Sequence, residues 1–376
     1  MAQRQEGPRP IGRRRPATPI ILPRERAHTP SPDPAGFFDS VADAFARAAQ
    51  AAGQVIERDY QLGDCRVRLR FAGPALLPPL TPALAHVAAR GPGQPDLTIG
   101  LWETEHTAVA PPPPPWDYED FASNGLIRAF TTERFSTHYQ LGTNALSLLD
   151  GERHQAFYWV KRAGQIPYWD TGAPLRVILS LWFNRRGCVV VHAGAVGLRQ
   201  GGVLLAGAGG SGKSNTALAA LPTPLGYAGD DFTLLSLDGQ PTAYSLYCSG
   251  KVNAADLERL PFLTDSVVNH ARLDQEKALA FLDREWPHKL LTRFAIRAVL
   301  LPHVTRQAEA RLRPASAAEG VNALAPSTLD LSPAVEKAAF ETLVELFRRV
   351  PCYHLDLGAE VAQPPRLILD WLNAHP

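Results

Sequence analysis

Eight consecutive residues, Gly207-Ala208-Gly209-Gly210-Ser211-Gly212-Lys213-Ser214, satisfy the spacing G-x-x-x-x-G-K-[ST] and follow the apolar run Val203-Leu204-Leu205-Ala206. Glycines at such spacing let backbone N–H groups turn inward around phosphate oxygens, and a helix starting near Lys213 adds its positive end. Lys213 is then expected to reach the β- and γ-phosphates and the Ser214 hydroxyl to ligate Mg²⁺. Gly207, Ala208, Gly209, Gly210, Ser211, Gly212, Lys213, Ser214 and Asn215 form the expected nucleotide-binding set. A glycine-rich turn that binds nothing would need neither the Lys-Ser pair nor the strand before it.

The second chemical element is Asp230-Asp231, in Leu225-Gly226-Tyr227-Ala228-Gly229-Asp230-Asp231-Phe232. One carboxylate can serve a metal while its neighbour takes a proton from an attacking hydroxyl. Elsewhere in a chain two adjacent acids read as a turn or helix cap; their place downstream of a phosphate loop favours the catalytic reading. Ser214 and Asp231 are the expected metal ligands, and the residues alone leave open which aspartate is the base. His192, in Val189-Val190-Val191-His192-Ala193, is the third element. If Gly187–Val196 and Gly202–Ala206 form a hairpin turning near Gln200, facing residues sum to about 400, which sets His192 beside Ala208. A lone histidine in an apolar strand is otherwise a core residue.

Cations must surround the equatorial oxygens of a transferring phosphoryl group. Lys251 and Lys277 are the candidates for that task, with solvated surface lysines as the alternative. Arg293 and Arg297 flank an apolar strand and read as clamps or as surface arginines.

These groups need a scaffold. From about Pro167 a helix over Pro174–Phe183 leads into the two β runs, and then strands alternate with helices. The pattern gives a helix at Lys213–Leu221, strands at Leu234–Leu237 and Ile296–Leu301, a helix at Pro333–Arg349, a strand at Cys352–Leu355 and a helix at Pro364–His375. That mixture is an α/β nucleotide-binding domain over 167–376. Residues 37–166 read as a β-rich α+β domain. Its helix begins at Gly36, strands follow at Tyr60–Phe71 and Asp96–Trp102, and a meander is expected over Leu126–Phe130, Phe135–Leu141, Ala145–Leu149 and Gln155–Val160. Residues 1–36 hold eight prolines, seven arginines and three acids, and read as a disordered basic arm.

The stretch Val189–Leu235 resembles the core of the HPr kinase/phosphorylase group and its broader HPr kinase-like relatives. There a histidine-bearing strand, a hairpin, the P-loop and an Asp-Asp pair follow in this order. The resemblance covers roughly residues 170–302, including Ser245–Lys251, Lys277–Leu282 and Ile296–Pro302. It implies a P-loop domain of the HPr kinase/phosphoenolpyruvate carboxykinase kind, with His192, Lys213, Ser214, Asp230 and Asp231 in the active site. It also implies ATP with Mg²⁺ and a serine hydroxyl of a peptide or small protein as acceptor, since some members are tailoring kinases of lasso-peptide precursors. Tyr247–Lys251 stands where HPr kinases carry a Glu-Ile-Arg-Gly-type signature, which points away from HPr itself and from phosphorolysis. Other readings are a metabolite kinase of the same fold and a non-catalytic ATP sensor. HPr kinases are hexamers, so a homo-oligomer is a further expectation.

Composition sets the limits. Of 376 residues 45% are hydrophobic and 20% charged, and 38 basic against 37 acidic side chains leave a net charge of +1, so no polyanion-binding surface is implied and nucleic acid is not an expected partner. No apolar run approaches a membrane span. The four cysteines, Cys65, Cys188, Cys248 and Cys352, have no metal-site spacing and suit a reducing cytoplasm.

Overall fold

The computed structural model describes residues 31–305, 307–331 and 336–375. The basic arm falls almost wholly outside them. A helix opens at Pro34, two residues before the expected start at Gly36, because the Asp33 carboxylate accepts a hydrogen bond from the Gly36 amide at 2.9 Å. Over Pro34–Ala51 it buries Phe37, Phe38, Val41, Ala44, Phe45 and Ala48, one stripe at helical spacing.

That stripe packs on Ala72, Trp102, Leu146, Leu148 and Phe157 of a six-stranded sheet. Its strands are β1 (Val55–Leu62), β2 (Cys65–Ala72), β3 (Leu97–Glu103), β4 (Phe135–Gln140), β5 (Ala145–Asp150) and β6 (Gln155–Val160), in the order β1-β2-β3-β6-β5-β4. The alternating stretch Tyr60–Phe71 is two strands rather than one. Gly63, at φ +60°, turns the chain, and Tyr60 pairs with Val67. Leu126–Phe130 is not a strand: Leu126 makes one bridge to His138 and Arg128–Phe130 is a 3₁₀ turn. The opposite face of the sheet meets the helix Arg176–Asn184, whose Ile178, Leu179, Leu181 and Trp182 share a core with Leu69, Ile99, Leu149 and Val160.

The remaining strands are β7 (Cys188–Val191), β8 (Gly194–Leu198), β9 (Gly201–Leu205), β10 (Gly226–Gly229), β11 (Thr233–Ser236), β12 (Thr242–Ser245), β13 (Ser249–Val252), β14 (Ala278–Phe281), β15 (Arg293–Val304), β16 (Arg311–Ala315) and β17 (Cys352–Leu357). A nine-stranded sheet runs β10-β8-β9-β15-β12-β11-β7, with β17 also beside β15 and β16 beside β17. The twelve-residue β15 bridges it: Arg293–Ala295 pair antiparallel with β12, while later residues pair parallel with β9 and β17. Consecutive residues of β9 point to opposite faces. Val203 and Leu205 join Leu218 and Ile368 of the helices Lys213–Ala219 and Gln363–Ala374. Leu204 joins Leu324 and Leu343 of the helices Ala317–Leu331 and Glu336–Arg349. Helices thus cover both faces, which is why β9 is apolar without alternation.

Candidate functional site

The phosphate-loop sequence adopts the geometry its glycines permit. The chain leaves β9 at Leu205 and reaches the helix at Lys213, with Gly207, Gly210 and Gly212 at φ +155°, +83° and +103°. A Cβ on Gly212 would lie 2.2 Å from Leu357 Cδ1, the movable end of that side chain, and the φ of +103° is what calls for glycine there. Ala208, Gly209 and Gly210 form an exposed rim. Lys213 is buried beneath it and donates to the carbonyls of Gly207 and Ala208 at 2.5 and 3.1 Å. Burial depresses the Lys213 ammonium against the pull of Asp231 and Asp230, and the exposed Lys277 depresses it further.

The expected β run Gly187–Val196 breaks at His192. β7 pairs with β11, and β8 pairs with β9 and β10. The β8–β9 hairpin has the inferred register, Gly194 facing Leu205 through Leu198 facing Gly201. His192 stands outside that hairpin, so it does not reach Ala208 by pairing. The chain makes a matching break at Asp230–Phe232, between β10 and β11. The two breaks lie side by side, pinned by the Thr233 hydroxyl donating to Ala193 O at 2.9 Å. His192 and Asp231 meet there, Nε2 to Oδ1 at 2.7 Å. The carboxylate can only accept, so Nε2–H is the donor.

The two aspartates share Lys251 and differ in their other partners. Asp230 is 2% exposed, accepts the Lys251 amide at 2.9 Å and has the Ser214 hydroxyl beside it. Burial, then the charge of Asp231, push its carboxyl up to about 6. Asp231 keeps 24% of its side chain exposed and also bonds Lys251 Nζ, at 2.5 Å from Oδ2. Burial pushes this acid up too, but the Lys251 charge and the His192 bond outweigh it and hold it far below the usual carboxylate range. Lys251 is buried, which lowers it, yet Asp231 and Asp230 leave it raised overall. Asp230 is thus the acid beside Ser214, and Asp231 the one tied to His192 and Lys251.

The structure brings together His192, Lys213, Ser214, Asp230, Asp231 and Lys251, with Lys277 near enough to act on Lys213. Arg293 and Arg297 go elsewhere, to Asp64 at 3.4 Å and to the Gln200 carbonyl at 3.3 Å. Two neighbours were not singled out in the sequence. The Phe232 ring lies 5.4 Å from that of His192 and 5.8 Å from Lys251 Nζ, and the Arg176 guanidinium sits 5.0 Å over it. Arg176 carries the one charge in the apolar run Pro174–Phe183, a signal that periodicity passes over.

The oxygen donors suit a small hard cation. Ser214 and Asp230 are neighbours, and two carboxylates crowd one buried place where added positive charge would relieve Asp230.

The sequence matches no protein-family model and no curated protein. Among solved structures it is similar to the HPr(Ser) kinase/phosphatase from Coxiella burnetii, over 50% of this chain and 95% of that one, at 10% identity and a TM-score of 0.27. A likeness at that level says nothing of chemistry, which the side chains must supply. Among the described residues no helix is long and apolar enough to cross a membrane.

Proposed function

We propose that the protein is a phosphotransferase that moves the γ-phosphoryl group of ATP to a hydroxyl. The observation that carries this reading is the split of the aspartate pair: Asp230 is buried against Ser214, and Asp231 is reachable and tied to His192 and Lys251. A module that only senses nucleotide has use for the first acid and none for this arrangement of the second.

In this reading residues 207–215 cradle the triphosphate, and Lys213 exchanges its loop carbonyls for phosphate oxygens. Ser214 and Asp230 would hold Mg²⁺, which neutralises phosphate charge. Asp231 orients the acceptor hydroxyl and takes its proton late, as the bond to phosphorus forms. His192 holds the carboxylate in place from one side, and Lys251 keeps it ionised from the other. Lys277 adds positive charge at the loop. Positioning and electrostatics supply most of the rate.

A serine of a peptide or small protein is the acceptor favoured by the sequence resemblance, with a ribosomal peptide of the lasso type as the specific case and the six-stranded sheet as docking surface. A small metabolite is the rival. The test is transfer from γ-labelled ATP to candidate peptides and small hydroxyl compounds, beside Lys213→Ala and Asp231→Asn. Label that appears on an acceptor and is lost in both variants supports the reading. Full transfer by Asp231→Asn, or nucleotide binding with no acceptor labelled, refutes it.

A further inference from the structure

Arg176 has a role that the P-loop and the aspartate pair leave unfilled. Its Nη1 is buried and has no hydrogen-bond partner among the described residues. A guanidinium carries five donors and stays charged, so a buried and unpaired N–H is costly and calls for an explanation. The Phe232 ring beneath it offers a cation–π contact, which does not satisfy a donor.

Among the described residues no carboxylate forms an ion pair with Arg176, and the charge of Asp170 reaches it from beyond contact. Asp170 is the acid within its reach, but burial pushes that carboxyl up, its Oδ2 accepts from Gln140 Nε2 at 3.1 Å, and it forms no ion pair with Arg176. Lys251 has the same sign as Arg176, and His138 is kept neutral by burial and by the arginine's own charge. The Tyr247 phenol is spent on the Pro174 carbonyl at 2.9 Å.

The arginine is nonetheless held firmly. It opens the helix Arg176–Asn184 directly after Leu175, a bulky residue at φ +57° and ψ +16°, a backbone state that side chains of this size rarely adopt. The residues before it are bolted to the strand region that carries Lys251. Tyr247 bonds Pro174, and the Ser249 hydroxyl bonds the Gly172 carbonyl. Lys251, two residues after Ser249, contacts both aspartates. Strain and clamping thus fix a donor with an open valence over Phe232, the residue that follows Asp231 and whose ring lies 5.4 Å from that of His192 and 5.8 Å from Lys251 Nζ.

Resting on the phosphotransferase reading, we infer that Arg176 is a catalytic residue that binds the equatorial oxygens of the transferring phosphoryl group. Lys213 approaches that group from the nucleotide side, and Lys251 is committed to Asp231. A planar fork with a free N–H is suited to a planar, spreading negative charge, where a lysine acts as a point charge. No new bond is needed: the phosphoryl group leaves the β-phosphate oxygen for the acceptor oxygen, and Arg176 stabilises the charge in passage.

The probe is Mg·ADP with aluminium fluoride, a mimic of the transferring group that needs no knowledge of the acceptor. Calorimetric titration of the full chain is compared for wild type, Arg176→Gln and Arg176→Lys. Wild type is expected to bind the fluoride complex at least tenfold more tightly than Mg·ADP alone. Arg176→Gln is expected to keep the Mg·ADP affinity, which also shows that it is folded, and to lose that enhancement; Arg176→Lys regains part of it. Equal enhancement in wild type and Arg176→Gln overturns the inference, as does no enhancement in wild type. If wild type fails to bind Mg·ADP at all, the phosphotransferase reading falls, and the inference with it.

Discussion

Lys251 Nζ lies 2.5 Å from Asp231 Oδ2, and the backbone amide of the same lysine donates to Asp230 at 2.9 Å. One residue therefore sets the position of both acids and the charge of one. Lys251→Met should leave Asp231 without its main counter-charge in a largely dry place. Transfer is expected to fall at least a hundredfold, and stability by about 3 kcal/mol, the usual cost of removing one member of a buried pair. Urea denaturation and the labelled-phosphate assay measure the two effects separately.

Asp230 gives a pH signature of definite sign. Its carboxyl titrates near 6 in the folded chain and from an ordinary 3.8 when unperturbed, so between those values the folded state keeps a proton that the unfolded state has lost. This group's contribution to stability falls as pH rises through that window. Asp231, held low, contributes stability that is lost only below that window as pH falls. Urea melts of wild type and Asp230→Asn across the window should differ in slope, with the decline absent from the variant.

If Asp230 holds magnesium, as proposed, it must do so in its ionised form. Magnesium-dependent nucleotide affinity is expected to drop about tenfold per pH unit below about 6, while metal-free nucleotide binding changes little. Titration calorimetry with and without the metal checks this.

Gly212 tests the loop itself. Gly212→Ala must place a methyl group 2.2 Å from Leu357 Cδ1 at φ +103°. Strain and overpacking together are expected to cost about 3 kcal/mol and to abolish nucleotide binding. Thermal melts and ADP titration read both; unaltered binding would mean that the loop does not enclose phosphate.

His192 separates binding from transfer. His192→Ala should cut transfer about a hundredfold or more through loss of the hydrogen bond to Asp231. The Mg·ADP affinity, which the proposed reading assigns to residues 207–215 and Asp230, is expected to stay the same.

Much of this was legible from the chain. The loop between β9 and the helix at Lys213 has a local signature because its course is set by glycines within nine residues, and the β8–β9 register followed from a short turn. Helices whose apolar residues recur at i, i+3 and i+4, such as Gln363–Ala374, were equally plain. What escaped depends on distant pairing. The break at His192 arises because β7 finds β11 while β8 finds β10, and no nearby residue announces it. Tyr60–Phe71 alternated smoothly across a turn, since hairpin partners bury the same face as one longer strand would. Arg176 was hidden for another reason: an unsatisfied donor is a property of surroundings, not of sequence.

The paired breaks at His192 and Asp231 bear on how the chain folds. Their bond joins residues 39 apart, and it can close only after β8 has found β10 and β7 has found β11. Local contacts such as the β8–β9 hairpin form sooner, because little loop entropy opposes them. During refolding the recovery of phosphoryl transfer should therefore trail the return of secondary structure. The closing of this crease is a late clock, which starts only when both of its halves have come together.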